Sequence, residues 1–373
     1  MKIGFDGKRA FNNSSGLGNY SRTLIDSLAQ FYPDNEYFVF SAKTNADNFH
    51  SHHFRNNSKI ISTNSISNTY WRSYKMVKQW NKLKMDIFHG LSNELPFYLN
   101  RTKTKTVVTI HDVIFKSHPE FYSVIDRNIY NWKTKHACKA ADKIICVSEN
   151  TKTELIKYYH TPEEKITVIP NAMPGHINRM ISDIKLNEIN ERYQLPDKFI
   201  LQVGTIERRK NLLTVLKSLH QLGNKALPLV VVGKATEYLK EIKNYLRISA
   251  PQLKVVFIHD ADNEMLNIVY SRAFIFIYTS LVEGFGIPLI EAAAHGIPSI
   301  ASKKTCMTEA AGSGALYVDA EDVNQTANAI EQLFNSTDLY NNLSAIALAN
   351  SSKFSSQNIS DKLMKLYNDL IKG

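Results

Sequence analysis

Short apolar runs and longer amphipathic stretches alternate along the whole chain. KIGFDG at 2–7 precedes a helical pattern over 18–32, and EYFVFSA follows at 36–42. KIISTN (59–64), DIFHGL (86–91), KTVVTIHD (105–112), KIICVS (143–148) and KITVIPN (165–171) continue the series. A second series begins with KFILQVGTI at 198–206 and runs through PLVVVGK (228–234), KVVFIHD (254–260) and AFIFIY (273–278), with helical patterns over 212–222 and 237–248 between them. Buried strands that alternate with helices predict a parallel α/β sheet covered on both faces. The two series predict two doubly wound domains, 1–175 and 190–354, facing across a cleft at the carboxyl ends of their sheets, where such folds bind ligands. The stretch 173–190 has no clean period and is expected to link them. The final stretch, 355–373, is amphipathic over 360–371 and is expected to pack back on the first domain.

The length of 373 residues fits two domains, and 43% hydrophobic with 21% charged residues describes a soluble globular protein. Cys138, Cys146 and Cys306 lack metal-like spacing and suit a reducing cytoplasm. MKIGFDG reads straight into a strand rather than a signal peptide. No apolar run approaches the roughly 18–20 residues of a membrane span. The net charge of +10 is uneven. Residues 1–175 hold 24 Lys+Arg against 15 Asp+Glu, and the remainder is nearly balanced. A basic first half implies an acidic partner surface, and anionic lipid fits better than nucleic acid because no nucleic-acid motif accompanies it.

Within that half, YWRSYKMVKQWNKLKM (70–85) places Trp71, Tyr74, Val77, Trp80 and Leu83 on one stripe, with Arg72, Lys75, Lys78 and Lys82 beside it and no acid. The pattern fits a core-facing helix with a solvated basic side. It also fits a helix lying on an anionic membrane. The two tryptophans and the charge bias favour membrane contact through Trp71, Lys75, Lys78 and Trp80.

Chemistry concentrates in YTSLVEGFGIPLIEAAAHGIPSIAS at 278–302. It reads as a strand end, a glycine-bearing loop, a helix with Pro288 at its first position and Gly296 just past its end, and another strand. Backbone N–H groups at Gly284, Phe285, Gly286 and Ile287 would face an anion at the positive end of the helix dipole, with Glu283 and Glu291 on the rim. GTIERRKNLL at 204–213 sets Arg208, Arg209 and Lys210 at another strand-to-helix turn, where they would neutralise a diphosphate or form a solvated corner. His111 ends a strand, as either a structural histidine or a donor to a sugar hydroxyl. Gly16 and Gly18, in NSSGLGNYSR, mark either a helix-starting turn or a close backbone approach to phosphate.

Taken together, SSGLGNYSR, VTIHDVIFKSHPEFY, VSENTK, VIPNAM, GTIERRKN and EGFGIPLIEAAAHGIPSIAS resemble, in order and over nearly the whole chain, the GT-B glycosyltransferases of retaining family 4 (glycosyltransferase group 1). The family's Glu-x7-Glu signature falls on Glu283 and Glu291. The resemblance implies a GT-B fold whose second domain binds a nucleotide sugar and whose first domain faces the acceptor. Glu291, on the first helical turn, would hold the ribose diol. Glu283 and the N–H groups of 284–287 would hold the sugar and nearby phosphate, and Arg209 and Lys210 the diphosphate. His111 would lie near the anomeric centre, and Gly16 and Gly18 near the phosphates and acceptor. Gly204 and Thr205 would line the donor. Arg208 replaces the proline common in the family, and Thr205 replaces a frequent arginine.

The resemblance implies a same-face displacement through an oxocarbenium-like sugar, in which the leaving diphosphate accepts the acceptor's proton and neither acid is a nucleophile. No cofactor is expected beyond the nucleotide-sugar co-substrate. No metal is expected either, since no Asp-x-Asp sits beside the donor site. The mannosyltransferase-like branch resembles this chain most, which implies GDP-mannose as donor and a lipid-linked or growing surface polysaccharide (O-antigen or capsule) as acceptor. The expected location is the cytoplasmic face of the inner membrane, as a peripheral protein. The alternatives are a UDP-sugar-dependent transferase and a catalytically silent nucleotide-sugar or glycan-binding partner. An epimerase or phosphorylase on a related fold is a third reading.

Overall fold

Short apolar runs become strands, and those in the interior of each sheet are buried along almost their whole length. The burial is continuous rather than alternating because helices cover both faces of each sheet. The computed structural model describes residues 1–13, 16–42, 58–62, 71–99, 103–175, 177, 183–303 and 306–373. The chain divides into two units, Met1–Pro174 with Phe354–Gly373, and Gly175–Lys353.

In the first unit the described strands are β1 (Lys2–Asp6), β2 (Glu36–Ser41), β3 (Ser58–Ser62), β4 (Ile87–Gly90), β5 (Lys105–Ile110), β6 (Lys143–Cys146) and β7 (Ile166–Val168). They pair in parallel in the order β3-β2-β1-β4-β5-β6-β7. In the second unit β8 (Ile200–Val203), β9 (Leu229–Val232), β10 (Val255–Ile258), β11 (Ile275–Tyr278), β12 (Ser299–Ser302) and β13 (Ala315–Val318) take the parallel order β10-β9-β8-β11-β12-β13. The direction of winding reverses between β1 and β4 in one sheet and between β8 and β11 in the other. Each reversal splays the following loops apart and opens a crevice at the strands' carboxyl ends.

The C-terminal helix Ser356–Lys372 buries Ile359, Leu363, Met364 and Tyr367 in the first unit's core, against the helix Gly16–Phe31. Tyr367 places its hydroxyl 2.6 Å from His89 Nδ1 on β4, while Thr109 lies 2.8 Å from His89 Nε2. Burial holds His89 down at about 3, so it is neutral. Of the stretch 173–190 expected to link the halves, residues 176 and 178–182 lie outside the described residues. Asp183–Tyr193 is a helix rather than an irregular linker. Ser14 and Ser15 of the glycine loop also lie outside the described residues.

The membrane-contact reading of 70–85 is corrected. Residue 70 lies outside the described residues. After it, a π-helical turn, Trp71–Lys75, leads into the helix Met76–Leu83. Trp71 and Trp80 are 1% and 0% exposed, and they pack in the core with Phe40 and Phe88. The Trp80 and Phe88 rings are 4.1 Å apart. The apolar stripe faces the sheet, and Lys75 and Lys78 face outward as the helix's solvated side. Among the described residues no helix is long and apolar enough to cross a membrane.

Candidate active site

In the second unit, the loops after β8 and β11 meet at the switch point. Chain reversal after β8 uses Gly204 at φ 143°, over which the Lys210 stem lies; a Cβ on Gly204 would come 3.1 Å from Lys210 Cε. Thr205 lies half-buried in the same turn. A short 3₁₀ turn, Arg208–Lys210, then delivers Arg209 and Lys210 toward β11, while Arg208 turns away to pair with Glu241. Asn211 closes the turn in the left-handed region and fixes it by donating to the carbonyls of Thr279 and Ala320.

Glu283 is the meeting point. Its Oε1 lies 2.6 Å from Lys210 Nζ and its Oε2 2.7 Å from Arg209. Arg209 also donates to the Val282 carbonyl and to Glu207, and Lys210 to the Tyr278 hydroxyl. Burial alone would raise the Glu283 pKa, but Lys210 and Arg209 outweigh it and hold the carboxyl down at about 2. Glu283 is therefore an ionised, acceptor-only group. Burial lowers Lys210 against the pull of Glu283. Arg209 has five N–H donors and Lys210 three. Three and two respectively are committed to the partners just named, so both cations keep donors for a further anion.

The helix Ile287–Ala294 begins one residue earlier than the sequence suggested, with Pro288 in its second position and Gly286 as its cap. Gly284 and Ile287 are half-buried, and the Phe285 side chain is buried. The Cys306 thiol donates to the Glu283 and Phe285 carbonyls and holds the loop's shape. Glu291 is the fifth helical residue, in the second turn rather than the first. Tyr270 donates to its Oε2 at 2.8 Å, and burial pushes the carboxyl up to about 7. His295 lies between the Glu291 carbonyl and Asn267 Oδ1. The pKa values of the signature's two acids are thus shifted in opposite directions by opposite surroundings.

In the first unit, the loops after β1, β4 and β5 enclose a cavity of ≈ 350 Å³ whose lining includes Lys8, Arg9, Leu17, Glu94, His111, Tyr122, Tyr130 and Lys133. His111 Nε2 lies 2.9 Å from the Leu91 carbonyl, which can only accept, so that nitrogen carries the proton. Burial holds the ring down at about 4 and hence neutral, which leaves Nδ1 an acceptor. Gly18 is needed for an internal reason: a Cβ there would lie 1.7 Å from the Asn13 carbonyl oxygen, which Arg22 also holds. Gly16 opens the same helix and is exposed.

Sequence reasoning missed the charge cluster on this cavity's wall. Glu94 binds Lys8, Arg72 and Lys133 at 3.1–3.2 Å, and Arg72 also pairs with Asp6. Burial would raise the Glu94 pKa, but the three cations hold it at about 2. Tyr270 and Glu207 were missed in the second unit. The Asp-x-Asp at 260–262 is used locally, with Asp262 capping a helix and Asp260 paired with Arg192. Among the described residues no group of three His, Cys, Asp or Glu side chains is disposed to hold a metal.

Residues 14–174 match the family Glycosyltransferase Family 4, and residues 185–349 match Glycosyl transferases group 1. HepE of Anabaena, solved in complex with UDP and glucose, superimposes with a TM-score of 0.76 at 16% identity, covering 99% of this chain and 100% of that one. Fold and family together make the protein a glycosyltransferase of the GT-B class. The chain belongs to the group 1 glycosyltransferases, family 4. It is similar to the O-antigen chain mannosyltransferase RfbU of Salmonella typhimurium, at 27% identity over 90% of this chain and 92% of that protein. It is also similar to O-antigen chain mannosyltransferase B of Escherichia coli, at 25% identity over 98% and 99%.

Proposed function

We propose that the protein transfers a hexosyl unit, mannose from GDP-mannose, to a lipid-linked or growing surface polysaccharide, with retention of anomeric configuration. The observation that carries this reading is the sharing of Glu283 between Arg209 and Lys210 at the β8/β11 crevice. In the proposed reaction the two cations and the 284–287 backbone stabilise the diphosphate as its bond to the sugar breaks. An oxocarbenium-like sugar develops, and the acceptor hydroxyl attacks from the face the diphosphate is leaving. Its proton passes to the departing phosphate oxygen.

Glu283 suits orientation of sugar hydroxyls rather than nucleophilic attack, because both of its oxygens are engaged by cations and its basicity is correspondingly low. Glu291, when ionised, accepts both hydroxyls of a ribose. Neutral His111 accepts from a sugar hydroxyl through Nδ1. Fixed cations take the place of a divalent metal in this reading.

Likeness to two O-antigen chain mannosyltransferases supports mannose and a polysaccharide acceptor. A UDP-sugar is the second reading, favoured by the fold's likeness to a protein solved with UDP and glucose. A lipid-linked acceptor would bring the enzyme to the cytoplasmic face of a membrane as a peripheral protein. A screen of GDP- and UDP-sugars by donor consumption, followed by NMR of the product's anomeric centre, tests the proposal. Preferential use of a UDP-sugar rejects the donor, and an inverted product rejects the mechanism.

A further inference from the structure

Three cations line the first unit's cavity, and two of them are answered within the fold. Lys8 and Lys133 each pair with Glu94 at 3.1 Å. Arg9, the third, stands on the short helix Lys8–Asn12 that follows β1. Its side chain makes no ion pair or hydrogen bond among the described residues, and its Nε is sealed from water without a partner. Both Glu94 oxygens are already taken, one by Lys8 and the other by Arg72 and Lys133. Asp112, the other acid on the cavity wall, accepts from the Ile114 N–H. Half-burying a guanidinium costs free energy, and here no internal partner offsets it. The missing counter-charge points to a ligand.

The neighbours of Arg9 describe that ligand. Burial is the main reason that His111 is neutral, and Arg9 lies near enough for its charge to add to the effect. The His111 Nδ1 is therefore an acceptor for a hydroxyl beside a fixed positive charge. Phe115, Tyr122 and Tyr130 form an aromatic wall, with ring centroids 5.9–6.4 Å apart. A ligand that meets all of these carries hydroxyls, an apolar face and a pair of anionic oxygens for the guanidinium fork. We propose that Arg9 is the anion-binding group of this cavity and that the ligand there is a sugar bearing a phosphate or a carboxylate. The proposal rests on the sugar-transfer reading and adds a charge requirement to it. The anion has two sources in that reaction, the phosphates of the donor and an anionic group on the acceptor.

The test uses the full chain, as wild type, Arg9→Met and Arg9→Lys. Without ligand, Arg9→Met should keep the wild-type melting temperature, because no bond within the fold is lost. In one arm, GDP-mannose is titrated calorimetrically into wild type and variants. In the other, inorganic pyrophosphate is titrated into the same proteins after saturation with GDP, which fills the nucleotide site. Arg9→Met should lose at least about tenfold in affinity in one arm or both. A loss for GDP-mannose assigns the anion to the donor, and a loss for pyrophosphate alone assigns it to the acceptor. Arg9→Lys should recover part of the loss, since it keeps the charge without the planar fork. Affinities that do not depend on Arg9 in either arm overturn the proposal. So does a ligand-free melting temperature lowered by Arg9→Met, which would make the arginine structural. If wild type ignores GDP and GDP-mannose, the donor reading fails, and pyrophosphate titrated without nucleotide still tests Arg9. Donor consumption by wild type with no dependence on Arg9 in either arm removes this site and keeps the function.

Discussion

Lys210 and Glu283 come from loops 73 residues apart and meet at 2.6 Å, with Tyr278 on the lysine's other side. The contact exists because β8 and β11 are neighbours at the switch point, so whatever follows them in sequence converges. Removing the lysine would leave Glu283 with one cation and the diphosphate with one donor group fewer. Lys210→Met should lower the rate of donor consumption by about 10²–10³-fold, in the range found when one charge-stabilising donor is lost. Steady-state kinetics on the proposed donor reads this, and a loss below about threefold would place the lysine outside the machinery.

Glu291 gives a pH signature. Its folded pKa of about 7 lies above the ordinary 4.5, so the ionised form that accepts a diol predominates only above neutrality. Affinity for GDP-mannose should therefore rise from about pH 6 to about pH 8, and Glu291→Gln should flatten that rise. Stability runs the other way. Above 4.5 the unfolded chain ionises while folded Glu291 stays neutral, so its contribution falls as pH rises to 7 and is level beyond. Calorimetric titration of wild type and variant across this window checks the first sign, and their thermal unfolding across it checks the second.

Trp80 should behave as core. Trp80→Ala should cost about 3–5 kcal/mol in chemical denaturation, whereas Lys75→Ser with Lys78→Ser should cost much less and leave vesicle binding unchanged. A mild Trp80→Ala with impaired vesicle binding would restore the membrane reading of that helix.

Metal independence follows from the proposed use of Arg209 and Lys210 at the diphosphate. Turnover should persist in excess chelator, as measured by release of nucleoside diphosphate. Abolition by chelator with recovery on adding Mg²⁺ or Mn²⁺ would show that the cations do not suffice.

Both sheets were legible because a strand buried on two faces must be apolar throughout, and AFIFIY or PLVVVGK can hardly be read otherwise. EGFGIPLIE was legible because its glycines, proline and acids act within one loop and one helix. The stripe of Trp71 and Trp80 misled, since a basic amphipathic helix has one sequence whether its apolar side meets lipid or a sheet. Only packing against Phe40 and Phe88 distinguishes the two. The Glu94 cluster left no local trace. Lys8, Arg72 and Lys133 lie on three different helical elements and Glu94 on a loop, and topology alone assembles them.

Calorimetric titration of GDP-mannose, GDP and guanosine into wild type and into Arg209→Met, Lys210→Met tests the diphosphate site most directly. The double variant should lose at least about tenfold in affinity for the two diphosphate ligands and little for guanosine. Equal affinities of wild type and variant for GDP-mannose and GDP would contradict it, because the diphosphate would then be held elsewhere.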